Sequence, residues 1–385
     1  MSIYKKFISC ICVITIFFGC LITSANDPEP EFNGRNIYVM DKETKRCLYE
    51  KNAYEKTPMA STTKIMTAII VLEKGNLNDI TIVSSNAAGT EGSSMNLKKG
   101  EEISVNDLLY GLLIKSGNDA AVALAEAISG SVEEFCMLMN EKAKSIGAYD
   151  TNFTSPHGLD DENHYTTARD LAIIAEYASN NKIFRQIVAT KSTSVNGHYL
   201  GNTNDLLWNS DYVTGIKTGY TGKAGRCVVL SIEKDEVELI AVILGCNTTE
   251  ERTEDGNTIL NYFPGNYSVN EIIESGAVVD SIRCYKSEKK YISAIIKEPV
   301  KLCLSTEEKK NINFKAELYS EYENGIKKEI KSGTVLGIYY IYSGDKLLDS
   351  VEIVASENNE TKGFLSYLEE YFLIWSKETF TALYK

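Results

Sequence analysis

Histidine is scarce in this chain: three in 385 residues, His157, His164 and His198. They are too few and too scattered to suggest an imidazole-built metal cluster, and no metal or cofactor is expected. No C-x-x-C pair is present, which removes the usual thiol redox and zinc-ribbon patterns. Nor is there a basic stretch, interleaved with aromatics, that could follow a phosphate backbone. With 40 Lys plus Arg against 53 Asp plus Glu the net charge is -13, and nucleic acid is not expected as a partner. The composition of disorder is missing too: 43% hydrophobic and 24% charged residues describe ordinary globular material, and the length suggests two or three domains.

What is present begins with a leader. Lys5 and Lys6 precede an apolar run from Phe7 to Ile22, and Thr23-Ser24-Ala25 offers small residues where a signal peptidase reads, so residues 1–25 are expected to be a signal peptide and the mature chain to start at Asn26. Two alternatives stay open, a lipoprotein box at Phe17-Phe18-Gly19-Cys20 and an uncleaved anchor helix. All three put the body of the protein outside the cytoplasm. Cys10, Cys12 and Cys20 belong to the leader, leaving Cys47, Cys136, Cys227, Cys246, Cys284 and Cys303. An even number permits disulfides, but a chain this long can bury a core without them, and these read as small buried hydrophobes.

Hydrophobic periodicity divides the remainder. "NIYVMDKETKRCLY" (36–49) alternates as two strands around a polar turn. A helical middle follows: 61–74 with Ile65, Ile69 and Leu72 on one face and Gly75-Asn76 as its stop, a capping pair Ser104/Asp107 before "LLYGLLI", and Asp119 opening "DAAVALAEAIS". Further helical periodicity covers 132–146 and 168–178. "RCVVLSIE" (226–233) and "ELIAVILGC" (238–246) then read as adjacent antiparallel strands. Strands from both ends bracketing helices imply one antiparallel sheet with a helical layer, an α+β domain (mixed α/β) over 26–264. From 265 to 356, strand-like pieces at short intervals predict a small all-β sandwich. Residues 357–363 read as a linker. In 364–385, Leu365, Leu368, Phe372, Trp375 and Leu383 fall near one face, which predicts an amphipathic helix at a membrane surface, or one packed on its own domain.

The chemistry concentrates at three short motifs. Ser61-Thr62-Thr63-Lys64 places a lysine one helical turn from a serine. S-x-x-K alone is weak, since Ser2 with Lys5, Ser287 with Lys290 and Ser343 with Lys346 match it too. Ser61 differs in standing after Thr57-Pro58 at a helix start, where free N–H groups converge. Serine needs a neighbour to take its proton, and Lys64 can do so if burial or a second cation keeps its amine neutral. Lys217 in "GIKTGYTG" could be that cation, with Thr218 and Gly219 beside it on a strand edge where a peptide can approach closely. Ser116-Gly117-Asn118 lies between them at a helix corner. Each has a plain structural reading, Ser61 as an N-cap, Asn118 as a turn former and Lys217 as a solvated charge, but the ordered set is far less easily explained that way.

Together these motifs resemble the set shared by class A β-lactamases and penicillin-binding proteins. Ser61-x-x-Lys64, Ser116-Gly117-Asn118 and Lys217-Thr218-Gly219, with "SPHGLDDENHYTTARDLAIIA" and "IKTGYTGKAGRC", look like the serine-type D-alanyl-D-alanine carboxypeptidases, the low-molecular-mass penicillin-binding proteins. The resemblance implies a β-lactamase/transpeptidase-like catalytic domain acting on peptidoglycan stem peptides that end in D-Ala-D-Ala, with β-lactams as inhibitors. It implies Ser61 as nucleophile, Lys64 as base, Ser116 as proton relay hydrogen-bonded between the two lysines, and Asn118, Lys217, Thr218 and Gly219 on the substrate. The backbone amides of Ser61 and Tyr220 would form the oxyanion hole. His157 reads as a structural turn residue, and Arg252 as a surface ion pair or an aid to the substrate carboxylate. A serine β-lactamase and a catalytically silent wall-binding protein are the alternatives. No E-x-E-L-N type segment for deacylation lies between Ser116 and Lys217.

Overall fold

The computed structural model describes residues 29–383; the expected leader, with its cleavage point, lies outside the described residues. Five strands form an antiparallel sheet: β1 (Asn36–Asp41), β2 (Cys47–Lys51), β3 (Val213–Thr221), β4 (Gly225–Lys234) and β5 (Val237–Cys246), in the order β2-β1-β5-β4-β3. Asn36 pairs with Leu244, so the two ends of this part of the chain meet mid-sheet. β4 and β5 are continuous apolar runs because both faces of the sheet are covered. β3 is left as an edge strand.

Helices cover one face: α1 (Lys64–Lys74), α2 (Val105–Tyr110), α3 (Asn118–Ser129), α4 (Val132–Ser145), α5 (Ala168–Ser179) and α6 (Lys182–Val188). Polar side chains fix where several of them begin. Ser104, Ser131 and Thr167 accept from the backbone N–H three residues on, and Gly75 ends α1. α1 is buried all round from Lys64 to Val71, more deeply than a one-faced pattern implies, because helices surround it. α7 (Thr249–Asn266) covers the other face of the sheet, against Ile37, Val39, Leu230 and Leu239. Its mean character is polar, so periodicity does not reveal it, and Pro264 lies within it.

The rest is β-rich. β6 (Tyr267–Ile273) pairs with β9 (Val300–Ser305), and β7 (Ala277–Arg283), β8 (Tyr291–Ile296), β10 (Ile312–Leu318), β11 (Val335–Ser343) and β12 (Lys346–Ala355) form a second sheet in the order β7-β8-β12-β11-β10. Ile282, Ile292, Leu302, Leu304, Ile341 and Ile353 fill the core between them. A short helix, α8 (Thr306–Lys310), starts at a Ser305/Glu308 capping box.

Two expectations for the C-terminal end change. The stretch read as a linker is tied down: Asn359 is buried, exchanges backbone hydrogen bonds with Ile330, and accepts from Lys289 N at 3.1 Å. Its polar composition serves those bonds rather than freedom. The final helix, α9 (Phe364–Leu383), exposes Tyr371, Phe372, Leu373, Ile374 and Trp375 in succession, so its apolar side chains are not confined to one face. No helix among the described residues is long and apolar enough to cross a membrane.

The two parts meet through Arg46, in the turn between β1 and β2. Its guanidinium grips Glu308 with two bonds, of 2.9 and 2.5 Å, and also donates to Cys303 O. Lys301 pairs with Glu43 at 2.8 Å beside it.

Candidate active site

The chain enters α1 through a tight 3₁₀ turn, Ala60–Thr63. Ala60 is left-handed, with φ +49°, a costly conformation for a non-glycine residue. Side chains pin it: Thr62 Oγ1 donates to Met59 O at 2.6 Å and Thr63 Oγ1 to Ala60 O at 2.7 Å. His164 braces Thr63 from outside. Its Nδ1 accepts from Thr154 N at 3.1 Å, so Nε2 carries the proton and donates to Thr63 Oγ1 at 2.8 Å. Burial, first, pushes the pKa of His164 down to about 4, which keeps it in that neutral form. Ser61 is the least buried residue of the turn and caps no helix; the N-cap of α1 is Thr63.

Lys64, the first residue of α1, is fully buried. Its Nζ lies 2.7 Å from Ser61 Oγ, 2.8 Å from Asn118 Oδ1 and 2.8 Å from His157 O. Burial holds its pKa well below the usual lysine value, and repulsion from Lys217 adds to the effect. Both effects favour the uncharged amine, which is aimed at the hydroxyl. Sequence reasoning placed these two together, and the structure does so.

Between α2 and α3 the chain makes a π-helical turn, Gly111–Lys115, and leaves it through Ser116 at φ +64°. Ser116 is buried at this corner, but no hydrogen bond among the described residues joins its hydroxyl to Lys64 or Lys217. The expected bridge between the lysines is not made in this conformation. Asn118 is more than a turn former. Its Nδ2 donates to Glu91 O at 2.6 Å, which turns Oδ1 towards Lys64. Asp119 secures the segment opposite, accepting from Met95 N, Leu97 N and Ser94 Oγ.

β3 brings the third motif. Lys217 is buried, not solvated; its Nζ donates to Thr218 O at 3.0 Å, and its pKa falls to about 7 through burial and then Arg252. Thr218 Oγ1 bonds Thr203 Oγ1 at 2.6 Å. Gly219 has a different reason from the one its sequence context suggests. A Cβ there would come within 2.9 Å of Ser61 N and 3.2 Å of Met59 O, so the missing side chain is what lets β3 press against the 3₁₀ turn. Tyr220 projects into solvent at 56% exposure, its ring under the Arg226 guanidinium at 3.7 Å.

Several contributors escaped sequence reasoning. His157 acts here through its carbonyl, and Gly158, at φ +88°, has room for no side chain because a Cβ would sit 2.0 Å from Ala60 O. The segment holding both, "SPHGL", is visible in the sequence, but a backbone contact leaves no residue-type signature. Arg252 does form an ion pair, with Asp205 at 3.0 Å, but it is buried and not at the surface.

Comparison with known proteins agrees with this geometry. Residues 23–248 match the family model described as D-alanyl-D-alanine carboxypeptidase, and 267–361 match the penicillin-binding protein 5 C-terminal domain. The chain is 32% identical to D-alanyl-D-alanine carboxypeptidase DacF of Bacillus subtilis, over 89% of this chain and 90% of that one. It is 32% identical to DacC of Escherichia coli, over 90% and 89%. Among solved structures, penicillin binding protein 5 from Haemophilus influenzae superposes with a TM-score of 0.78 at 28% identity, covering 87% of this chain and 99% of that one. A buried amine on a helix-start serine, set in a fold and a sequence shared along nearly the whole length, leads to one conclusion: the chain belongs to the serine-type D-alanyl-D-alanine carboxypeptidase family.

Proposed function

We propose that Ser61 attacks the carbonyl of the penultimate D-alanine in a peptidoglycan stem peptide, with Lys64 accepting its proton. The observation that carries this reading is the 2.7 Å contact between a fully buried Lys64 amine and Ser61 Oγ. The amides of Ser61 and Tyr220 receive the oxyanion; the close approach of Gly219 to Ser61 N supports a shared pocket. Lys217 and Thr218 hold the terminal carboxylate, Gly219 lets the substrate-bearing strand lie against the turn that carries Ser61, and Asn118 orients the peptide amide as well as Lys64. Ser116 passes a proton to the departing D-alanine, which requires its hydroxyl to turn towards a lysine as substrate binds. Water then frees the acyl-enzyme. β-Lactams acylate the same serine and leave slowly.

In this reading residues 1–25 export the chain, residues 26–264 carry the chemistry outside the cytoplasm, and residues 265–356 space it from a membrane on which α9 lies. The exposed row from Tyr371 to Trp375 supports that last assignment. The test is mass spectrometry after exposure to a labelled penicillin, together with D-alanine release from a pentapeptide. A stable adduct on Ser61, with both signals lost in Ser61→Ala, is the expected result. Rapid multiple turnover of penicillin would make the protein a β-lactamase instead, and undiminished D-alanine release by Ser61→Ala would place the chemistry elsewhere.

A further inference from the structure

Arg226 stands out among the cations near this site. It sits on β4 directly across from Tyr220 on β3, and its guanidinium covers the Tyr220 ring at 3.7 Å. Its Nε is buried without a hydrogen-bond partner, and no ion pair or hydrogen bond among the described residues engages the rest of the group. Its neighbours make this costlier. Arg252 is close enough for the two charges to repel, and Asp205 is paired with Arg252. An arginine half-buried beside other cations, stacked on an aromatic ring and lacking an acceptor, is poised for an anion that arrives from outside.

The direction of the bound peptide says which anion. This step rests on the function proposed above. If the terminal carboxylate lies at Lys217 and Thr218 and the scissile carbonyl at Tyr220 N, the peptide runs antiparallel to the edge strand β3. Residues upstream of the scissile bond then pass Tyr220 and head for Thr221. On one side of that exit stands Asp160, which accepts from Thr221 Oγ1 at 2.6 Å and repels a carboxylate. Arg226 lies on the neighbouring strand, on the face of the sheet that Tyr220 occupies. We infer that Arg226, held flat by Tyr220, is a specificity-determining residue that binds a free carboxylate on the side chain of the residue preceding the D-Ala-D-Ala unit.

The experiment compares two pentapeptides that differ only at that side chain, one ending in a free carboxylate and one in its amide, by kcat/KM for D-alanine release. Wild type is expected to favour the carboxylate about tenfold, the scale of one charge-assisted contact at a half-buried site. Arg226→Gln should bring the ratio near unity and Arg226→Lys should restore part of it. A wild-type ratio near unity overturns the inference without any variant. So does Arg226→Gln lowering both peptides equally, which would reduce Arg226 to a prop for Tyr220. A third peptide, amidated at its C-terminus and followed by release of D-alaninamide, separates the two carboxylates: if Arg226→Gln erases discrimination there and not at the side chain, the assignment upstream of the scissile bond is wrong. Failure of every peptide to release D-alanine would instead count against the proposed function, and labelling of Ser61 by penicillin reports that separately.

Discussion

Two buried amines share the floor of this site, and Lys217 makes Lys64 harder to charge. In the proposed mechanism Lys64 acts neutral, to take a proton, whereas Lys217 acts charged, to hold a carboxylate. Burial lowers both, and the burden on Lys64 is heavier because Lys217 faces it. For the free enzyme this gives a bell-shaped dependence of kcat/KM on pH. The rising limb follows Lys64 losing its proton, and the falling limb follows Lys217 losing its charge near pH about 7. Measuring D-alanine release across pH checks it, and Lys217→Arg, which keeps the charge, should carry the falling limb to higher pH. Lys64→Ala should slow acylation by about 10² to 10⁴-fold, the usual worth of a positioned base, as read from the rate of penicillin labelling. The residues proposed for these roles stand out in the sequence because S-x-x-K and K-T-G name residue types. The hydrogen bond from Lys64 to the His157 carbonyl was not, since any residue supplies a carbonyl.

At the level of elements, the site is a meeting of three backbones: the 3₁₀ turn before α1, the strand β3, and the loop around 155–164. Glycine makes two of the contacts possible. Gly158→Ala combines a left-handed φ with a Cβ 2.0 Å from Ala60 O, a backbone atom that cannot swing aside. It should cost about 2 kcal/mol or more, seen as a lower Tm, and slow acylation with it. Gly219→Ala, opposed by Ser61 N at 2.9 Å, should leave the fold standing and chiefly impair acylation. The same loop carries a pH signature. His157 and His164 are both pushed down to about 4 by burial, with Lys64 contributing to each. An unfolded histidine titrates near about 6.5, so between the two values the unfolded chain binds more protons. The stability these neutral rings contribute is whole above the upper value and is lost as pH falls through the window, up to about 3 kcal/mol for each ring. Denaturant midpoints compared at pH about 7 and about 4.5 would show it. Most helix starts could be read from their capping residues, as at Ser104. The π-helical turn before Ser116 could not, because one extra residue in a turn does not disturb an apolar pattern as plain as "LLYGLLI".

For the whole molecule, the joint between the catalytic part and the β-domain combines apolar packing of Tyr267, Val269 and Cys303 with a few charged groups. Arg46 lies within a turn that reads as merely polar, yet its side chain is 8% exposed and holds both Glu308 and the Cys303 carbonyl across the boundary. Arg46→Ala removes two charge-assisted bonds from a half-buried carboxylate that keeps Ser305 N and, at 3.6 Å, Lys346, a loss of about 2 kcal/mol. The expected outcome is faster proteolytic cleavage between the two parts, with penicillin labelling of Ser61 preserved. Such contacts join residues about 260 positions apart, as Arg46 and Glu308 are, and no local pattern in a sequence announces them. The burial of the six thiols was largely readable, their pairing was not: five are buried, Cys47 is half-buried, all are free, and burial raises Cys47, Cys136 and Cys227 to about 11 and Cys303 to about 12. Protonated and shielded, they offer no reactive thiolate. With no disulfide among the described residues, refolding of this part of the chain is expected to proceed at the same yield with an oxidant or without one.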